Sequence, residues 1–94
     1  MTVEEIIQIV KPVLSRNRVK RASLFGSHAK QINSPESDID ILVELDASLS
    51  LLDFVGIKLE LEDALHRKVD LVEYDAIKPA LRNSILESEV VIYG

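Results

Sequence analysis

Residues 38–45 read DIDILVEL, and this octapeptide decides the architecture. Its Ile41-Leu42-Val43 run is apolar on both faces of an extended chain, the pattern of a central strand covered on two sides. Residues two apart in a strand point to one face, so Asp38 and Asp40 project together. Their Cα atoms then lie ~6.5 Å apart, given a rise of ~3.3 Å per residue. Two like charges so placed repel unless a cation bridges them or one takes a proton. Hard oxygen donors at this spacing suit Mg2+ or Mn2+. A solvated acidic pair at a strand end is the plainer alternative. A calcium loop fits poorly, because no glycine marks the sharp turn and Ile-Leu-Val follows where oxygen donors belong.

Working outward, VKRASLF (19–25) predicts a first strand, and Gly26-Ser27 follows it as a turn. Residues 26–31 could hold a short helix. INSPES (32–37) is a loop, since Asn, Ser and Pro all favour turns. Upstream, Thr2 and Glu5 fit a capping box, and Val3, Ile6, Ile7, Val10 and Leu14 recur at helical spacing, predicting a helix over 3–14. Pro12 falls inside it and predicts a kink or an end near Lys11. Downstream, Ser50 and Asp53 predict a helix cap and a helix running to about residue 66. Phe54, Ile57, Leu61 and Leu65 form its core stripe. Leu51, Leu52, Val55 and Leu59 make the apolar arc broader than a small sheet needs, which marks the 51–65 stripe as a candidate partner surface. KVDLVEY (68–74) predicts a third strand. A short helix after Pro79 is expected to turn Leu81 and Ile85 inward, and VVIY (90–93) predicts an edge strand. The order αβ(α)βαβαβ is an α/β (α+β) domain, a small mixed sheet flanked by helices, occupying residues 1–94 as one unit.

Composition narrows the function. The 94 residues are 47% hydrophobic and 29% charged, a globular balance. The absence of cysteine excludes disulfides and thiolate metal sites. No stretch approaches the ~20 apolar residues of a membrane span, and the acidic start lacks the basic region of a signal peptide. A cytoplasmic protein with no membrane association is expected. The formal net charge of −5 argues against direct nucleic-acid binding, yet accommodates a nucleotide whose phosphates arrive with metal ions.

Gly26 lets the backbone approach a ligand closely, and with the Ser27 hydroxyl it could receive phosphate oxygens. Alone, Gly-Ser is an ordinary turn. Ten residues, 28–37, separate Ser27 from Asp38, so the chain spells G-S-x10-D-x-D between apolar strands. This segment resembles the nucleotidyltransferase superfamily that includes DNA polymerase beta. It looks most like the minimal, stand-alone MNT members, commonly the antitoxin half of HEPN/MNT toxin–antitoxin pairs. The resemblance covers nearly the whole chain, with an αβαβαβ nucleotidyltransferase fold.

The resemblance implies roles by position. Gly26 and Ser27 would hold a nucleoside triphosphate, with Asp38 and Asp40 binding divalent metal, Mg2+ or Mn2+. Asp70 matches the family's third carboxylate. It would complete the metal site and help deprotonate the attacking hydroxyl; an exposed strand acid is the alternative. Asp46, Asp53, Asp63 and Asp75 read as caps and surface charge. The family often has G-S-x-A-R-G, whereas this chain has Lys30 for Arg and Gln31 for Gly. Lys30 keeps a positive charge near the phosphates but loses the bidentate fork. Ser37 is either a phosphate contact or a turn serine. His28 lies in the variable part of the motif. His66 ends a helix, where it suits the negative end of the dipole.

The implied activity is transfer of a nucleoside monophosphate, AMP from ATP, onto a hydroxyl. The acceptor would be a tyrosine of a cognate HEPN ribonuclease toxin, neutralised by the modification. No second domain is evident to grip another substrate, which favours an acceptor supplied by a partner and a possible homo- or hetero-oligomer. The alternatives are a non-catalytic antitoxin that inhibits by binding, and a small-molecule nucleotidyltransferase of the aminoglycoside-modifying type.

Overall fold

Thr2 opens the first helix as expected. Its hydroxyl accepts from the Glu5 backbone N–H at 3.1 Å, and the Glu5 carboxylate accepts from the Thr2 N–H at 3.3 Å. The computed structural model describes residues 2–25 and 38–93, apart from the side chains at positions 81, 84, 86 and 88. Helix α1 spans Val3–Arg16 and buries Ile6, Val10, Val13 and Leu14. Pro12 neither ends nor shortens it, contrary to the sequence expectation. Proline removes one hydrogen bond, to the carbonyl four residues back at Gln8. Both Gln8 and Pro12 are exposed, so water can take that partner's place. The helix ends instead at Asn17, whose side-chain amide donates to the Val13 carbonyl at 2.7 Å.

Strands β1 (Val19–Phe25), β2 (Ile39–Leu45), β3 (Val69–Glu73) and β4 (Val90–Tyr93) form one sheet in the order β3-β2-β1-β4. β1 pairs antiparallel with both β2 and β4, while β2 and β3 are parallel. A parallel pair needs a crossover. Helix α2 (Leu51–Leu65) supplies it, opening on a capping box between Ser50 and Asp53. Asp46 also acts as predicted, its carboxylate accepting from the Ser48 N–H at 2.9 Å. α1 and α2 pack side by side on one face of the sheet, and Ile39, Ile41 and Val43 of β2 join their core. Leu42 points the other way, packing with Tyr74 and Ile77 and with the partly buried Phe25, Val72 and Ile85. β2 is therefore interior and covered on both faces, as its sequence predicts.

A short 3-10 turn (Tyr74–Ala76) leads to helix α3 (Pro79–Ser88), which packs on β1 from this second face. Ile85 turns inward as expected; the placement of Leu81 lies outside the described side chains. β4 is the edge strand predicted.

His66 has a backbone role that the dipole argument did not foresee. It caps α2 in the left-handed conformation, with φ 55° and ψ 38°. Glycine is the usual occupant there because a Cβ is strained at positive φ. His66→Gly is expected to stabilise the fold by about 0.5–1 kcal/mol, seen as a higher urea midpoint with an unchanged slope.

Candidate active site

The second residue of β2 and the second residue of β3 are both aspartates, and the parallel register pairs them: Asp40 stands opposite Asp70. Strand neighbours are ~4.8 Å apart, closer than the ~6.5 Å expected between Asp38 and Asp40 along one strand. Alternation keeps Asp38, Asp40 and Leu42 on one face, the one away from α1 and α2. Phe25 pairs with Asp40 from the β1 side. One row across three strands thus reads Phe25, Asp40, Asp70, with Asp38 beyond its edge. Asp40 is half-buried, whereas Asp38 and Asp70 are exposed.

The mount is rigid. Ile39 and Ile41, flanking Asp40, are fully buried, and the Ile39 N–H donates to the Lys68 carbonyl at 3.0 Å, extending the ladder past the start of β3. Lys68 itself brings a cation to these strand ends, a residue that no motif singled out. Placing carboxylates directly opposite each other weakens a sheet unless something compensates their repulsion. The donor set is all hard oxygen and fits Mg2+ or Mn2+ in kind. Among the described residues, no three His, Cys, Asp or Glu side chains converge into a metal cluster. The backbone thus provides the mounts, with the side chains not drawn together around a common point. Gly26, Ser27, His28, Lys30, Gln31 and Ser37 lie outside the described residues.

Two rows further along the same face lies a polar chain that sequence reasoning missed. The Tyr74 hydroxyl donates to the Glu89 carboxylate at 3.0 Å and lies 2.6 Å from the Ser23 hydroxyl. A phenol has one proton, so Ser23 donates to Tyr74. The Arg21 guanidinium sits 4.0 Å above the Tyr74 ring. Burial raises the Tyr74 pKa above its ordinary value, with Ser23 pulling the other way and Glu89 adding to the rise. These partners lie 51 and 15 residues from Tyr74 in the chain, beyond any local signal. They tie β1, the end of β3 and the start of β4 together beneath the aspartate row. Tyr74→Phe strands the buried Ser23 hydroxyl and is expected to cost about 1–3 kcal/mol in urea unfolding. A pKa raised by folding gives stability that is full below pH ~10 and falls as pH rises through the folded value. The variant should lose that part of the alkaline decline.

Comparison with known proteins decides the family. The polymerase beta nucleotidyltransferase model matches residues 4–94. The chain belongs to this nucleotidyltransferase family. A provisionally named protein adenylyltransferase of Methanocaldococcus jannaschii is 46% identical over 90 residues, covering 96% of this chain and 97% of that protein. The protein adenylyltransferase MntA of Thermococcus cleftensis is 32% identical, covering 98% and 97%. Among solved structures, a provisionally named minimal nucleotidyltransferase superposes with a TM-score of 0.84 at 31% identity, over 96% of this chain and 95% of that one. A toxin–antitoxin complex with AMP-PNP shares the fold at TM-score 0.81 and 24% identity, over 94% and 73%. So does a Shewanella oneidensis complex of a tri-AMPylated HEPN toxin with an MNT antitoxin, at TM-score 0.74 and 22% identity, over 97% and 71%. The mixed sheet flanked by helices is thus the fold of this nucleotidyltransferase family, as the G-S-x10-D-x-D segment implied.

Proposed function

We propose that the chain is a protein adenylyltransferase that moves AMP from ATP onto a tyrosine hydroxyl of a HEPN-domain toxin, and so acts as the toxin's antitoxin. The observation that carries this reading is the in-register pairing of Asp40 with Asp70, with Asp38 two residues before on the same face. Three carboxylates on rigid strand ends are the donor set that nucleotidyl transfer needs. The named activity of the archaeal relatives, and the AMPylated toxin in the Shewanella complex, support the choice of nucleotide and acceptor.

In this reading Asp38, Asp40 and Asp70 hold divalent metal, Mg2+ or Mn2+, which when bound neutralises the triphosphate and stabilises charge on the attacking and leaving oxygens. Gly26 and Ser27 seat the triphosphate, with Lys30 and Ser37 as further phosphate contacts. The tyrosine oxygen attacks the α-phosphorus, its proton passes to Asp70, and the bond to pyrophosphate breaks. The product is an AMP–tyrosine phosphodiester. The net charge of −5 suits a protein acceptor better than a nucleic-acid one.

Lys30 and Gln31 favour a second reading, inhibition by binding alone, because both depart from the usual phosphate-seat residues. One experiment separates the two. The chain, a HEPN-domain toxin, labelled ATP and Mg2+ are combined, and label on the toxin is followed alongside its ribonuclease activity. Transfer is expected with wild type and absent with Asp38→Asn/Asp40→Asn, which should also leave the toxin active. Toxin inhibited equally by both proteins, with no label on it, would establish binding alone.

A further inference from the structure

A fourth side chain completes the patch made by the three aspartates. Val69 and Leu71 of β3 enter the core beneath α1 and α2, while Val72 packs on the opposite face. Alternation therefore places Lys68, Asp70 and Val72 on the face that carries Asp38 and Asp40. Ile39 pairs with Val69 and Asp40 with Asp70. One step back along both strands, the same parallel register sets Lys68 beside Asp38. The ladder reaches that far, because the Lys68 carbonyl accepts the Ile39 N–H at 3.0 Å. The next residue fixes the backbone as well: Val69 is buried, and its N–H donates to the Glu62 carboxylate at 3.0 Å. The Lys68 side chain itself is exposed and forms no ion pair among the described residues. Its ammonium is thus mounted among three carboxylates and remains available to a ligand.

We propose that the Lys68 ammonium contacts an α-phosphoryl oxygen of the nucleotide from the acceptor side, and takes up the charge that builds there as the tyrosine oxygen attacks. The inference rests on the proposed transferase reading. Position selects the role. Phe25, which precedes the proposed triphosphate seat in the chain, flanks Asp40 from β1. Asp70 flanks it from β3, with Lys68 beside it, and Asp70 is the proposed acceptor of the tyrosine proton. In an in-line displacement the attacking and leaving oxygens lie on opposite sides of the phosphorus. Lys68 therefore stands where the bond to tyrosine forms, away from the bond to pyrophosphate that breaks. Cations aimed at a transferring phosphoryl group act on charge that develops in the transition state. Lysine suits this as a point charge on a flexible stem, with no need of a planar fork.

The test measures single-turnover AMP transfer to a HEPN-domain toxin, calorimetric binding of a non-hydrolysable ATP analogue with Mg2+, and thermal melting. The variants are Lys68→Ala, Lys68→Arg and the control Lys20→Ala. Lys20 is exposed near the start of β1, beside the C-terminal end of β2, so its loss changes the net charge equally without touching the patch. Lys68→Ala is expected to slow transfer at least about tenfold, short of the ~10²–10³ of an enclosed donor because Lys68 is exposed. Its affinity for the analogue should stay within about twofold of wild type, since the contact strengthens in the transition state. Lys68→Arg should recover most of the rate, Lys20→Ala should match wild type, and all three should melt as wild type. Transfer by Lys68→Ala as fast as wild type would overturn the contact while leaving the transferase reading intact. An equal loss in Lys20→Ala would mark a long-range charge effect and also overturn it. So would an analogue affinity lowered as much as the rate, the mark of a ground-state grip, or a lower melting temperature that arginine does not restore. Wild type that transfers no AMP would overturn the transferase reading, and the contact with it.

Discussion

Asp70→Asn is expected to lower AMP transfer by about a thousandfold or more, with a fold about as stable as wild type. Asp70 and Asp40 occupy paired positions on adjacent parallel strands. Asp70 is exposed, and asparagine keeps its shape, so the core is left untouched. The same change removes the side chain proposed as both metal donor and proton acceptor. General-base loss alone costs about 10²–10⁴ in rate. Single-turnover transfer and thermal melting of the same sample check both halves. Loss of activity accompanied by a lower melting temperature would make Asp70 a structural residue. Full activity would remove it from the site.

Leu61→Ala should be the most damaging of the simple core truncations on α2, and Leu59→Ala should be nearly silent for stability. Leu61 is fully buried and Leu59 is 58% exposed, two residues away on one helix. A buried Leu→Ala change costs about 2–5 kcal/mol through lost transfer energy and the cavity left behind. A domain of this length has about 5–14 kcal/mol in total, so Leu61→Ala removes a large share. Exposed substitutions usually stay within about 0.5 kcal/mol. Urea unfolding of both variants checks this, and similar midpoints for the two would contradict the division of α2 into a core stripe and an exposed stripe.

What the sequence made legible was local. The unbroken Ile41-Leu42-Val43 run announced a strand buried on two faces, and the capping boxes at Thr2 and Ser50 marked two helix starts. Asp38 and Asp40 were readable because strand alternation is a local rule. The cross-strand pairing of Asp40 with Asp70 was not, because its register depends on how the α2 crossover packs across the sheet. For the same reason the Ser23–Tyr74–Glu89 chain had no signal. Pro12 misled because its cost depends on whether the orphaned carbonyl faces water, and His66 because side-chain identity says little about φ at a helix end. The 51–65 arc was visible as too broad, but only packing separates Leu61 from Leu59.

The most direct measurement is the intact mass of the HEPN protein after incubation with this chain, ATP and Mg2+. The account predicts a toxin species heavier by AMP, mapping to a tyrosine, absent when Asp40→Asn or Asp70→Asn replaces wild type. A toxin of unchanged mass whose ribonuclease activity is nonetheless blocked would contradict it.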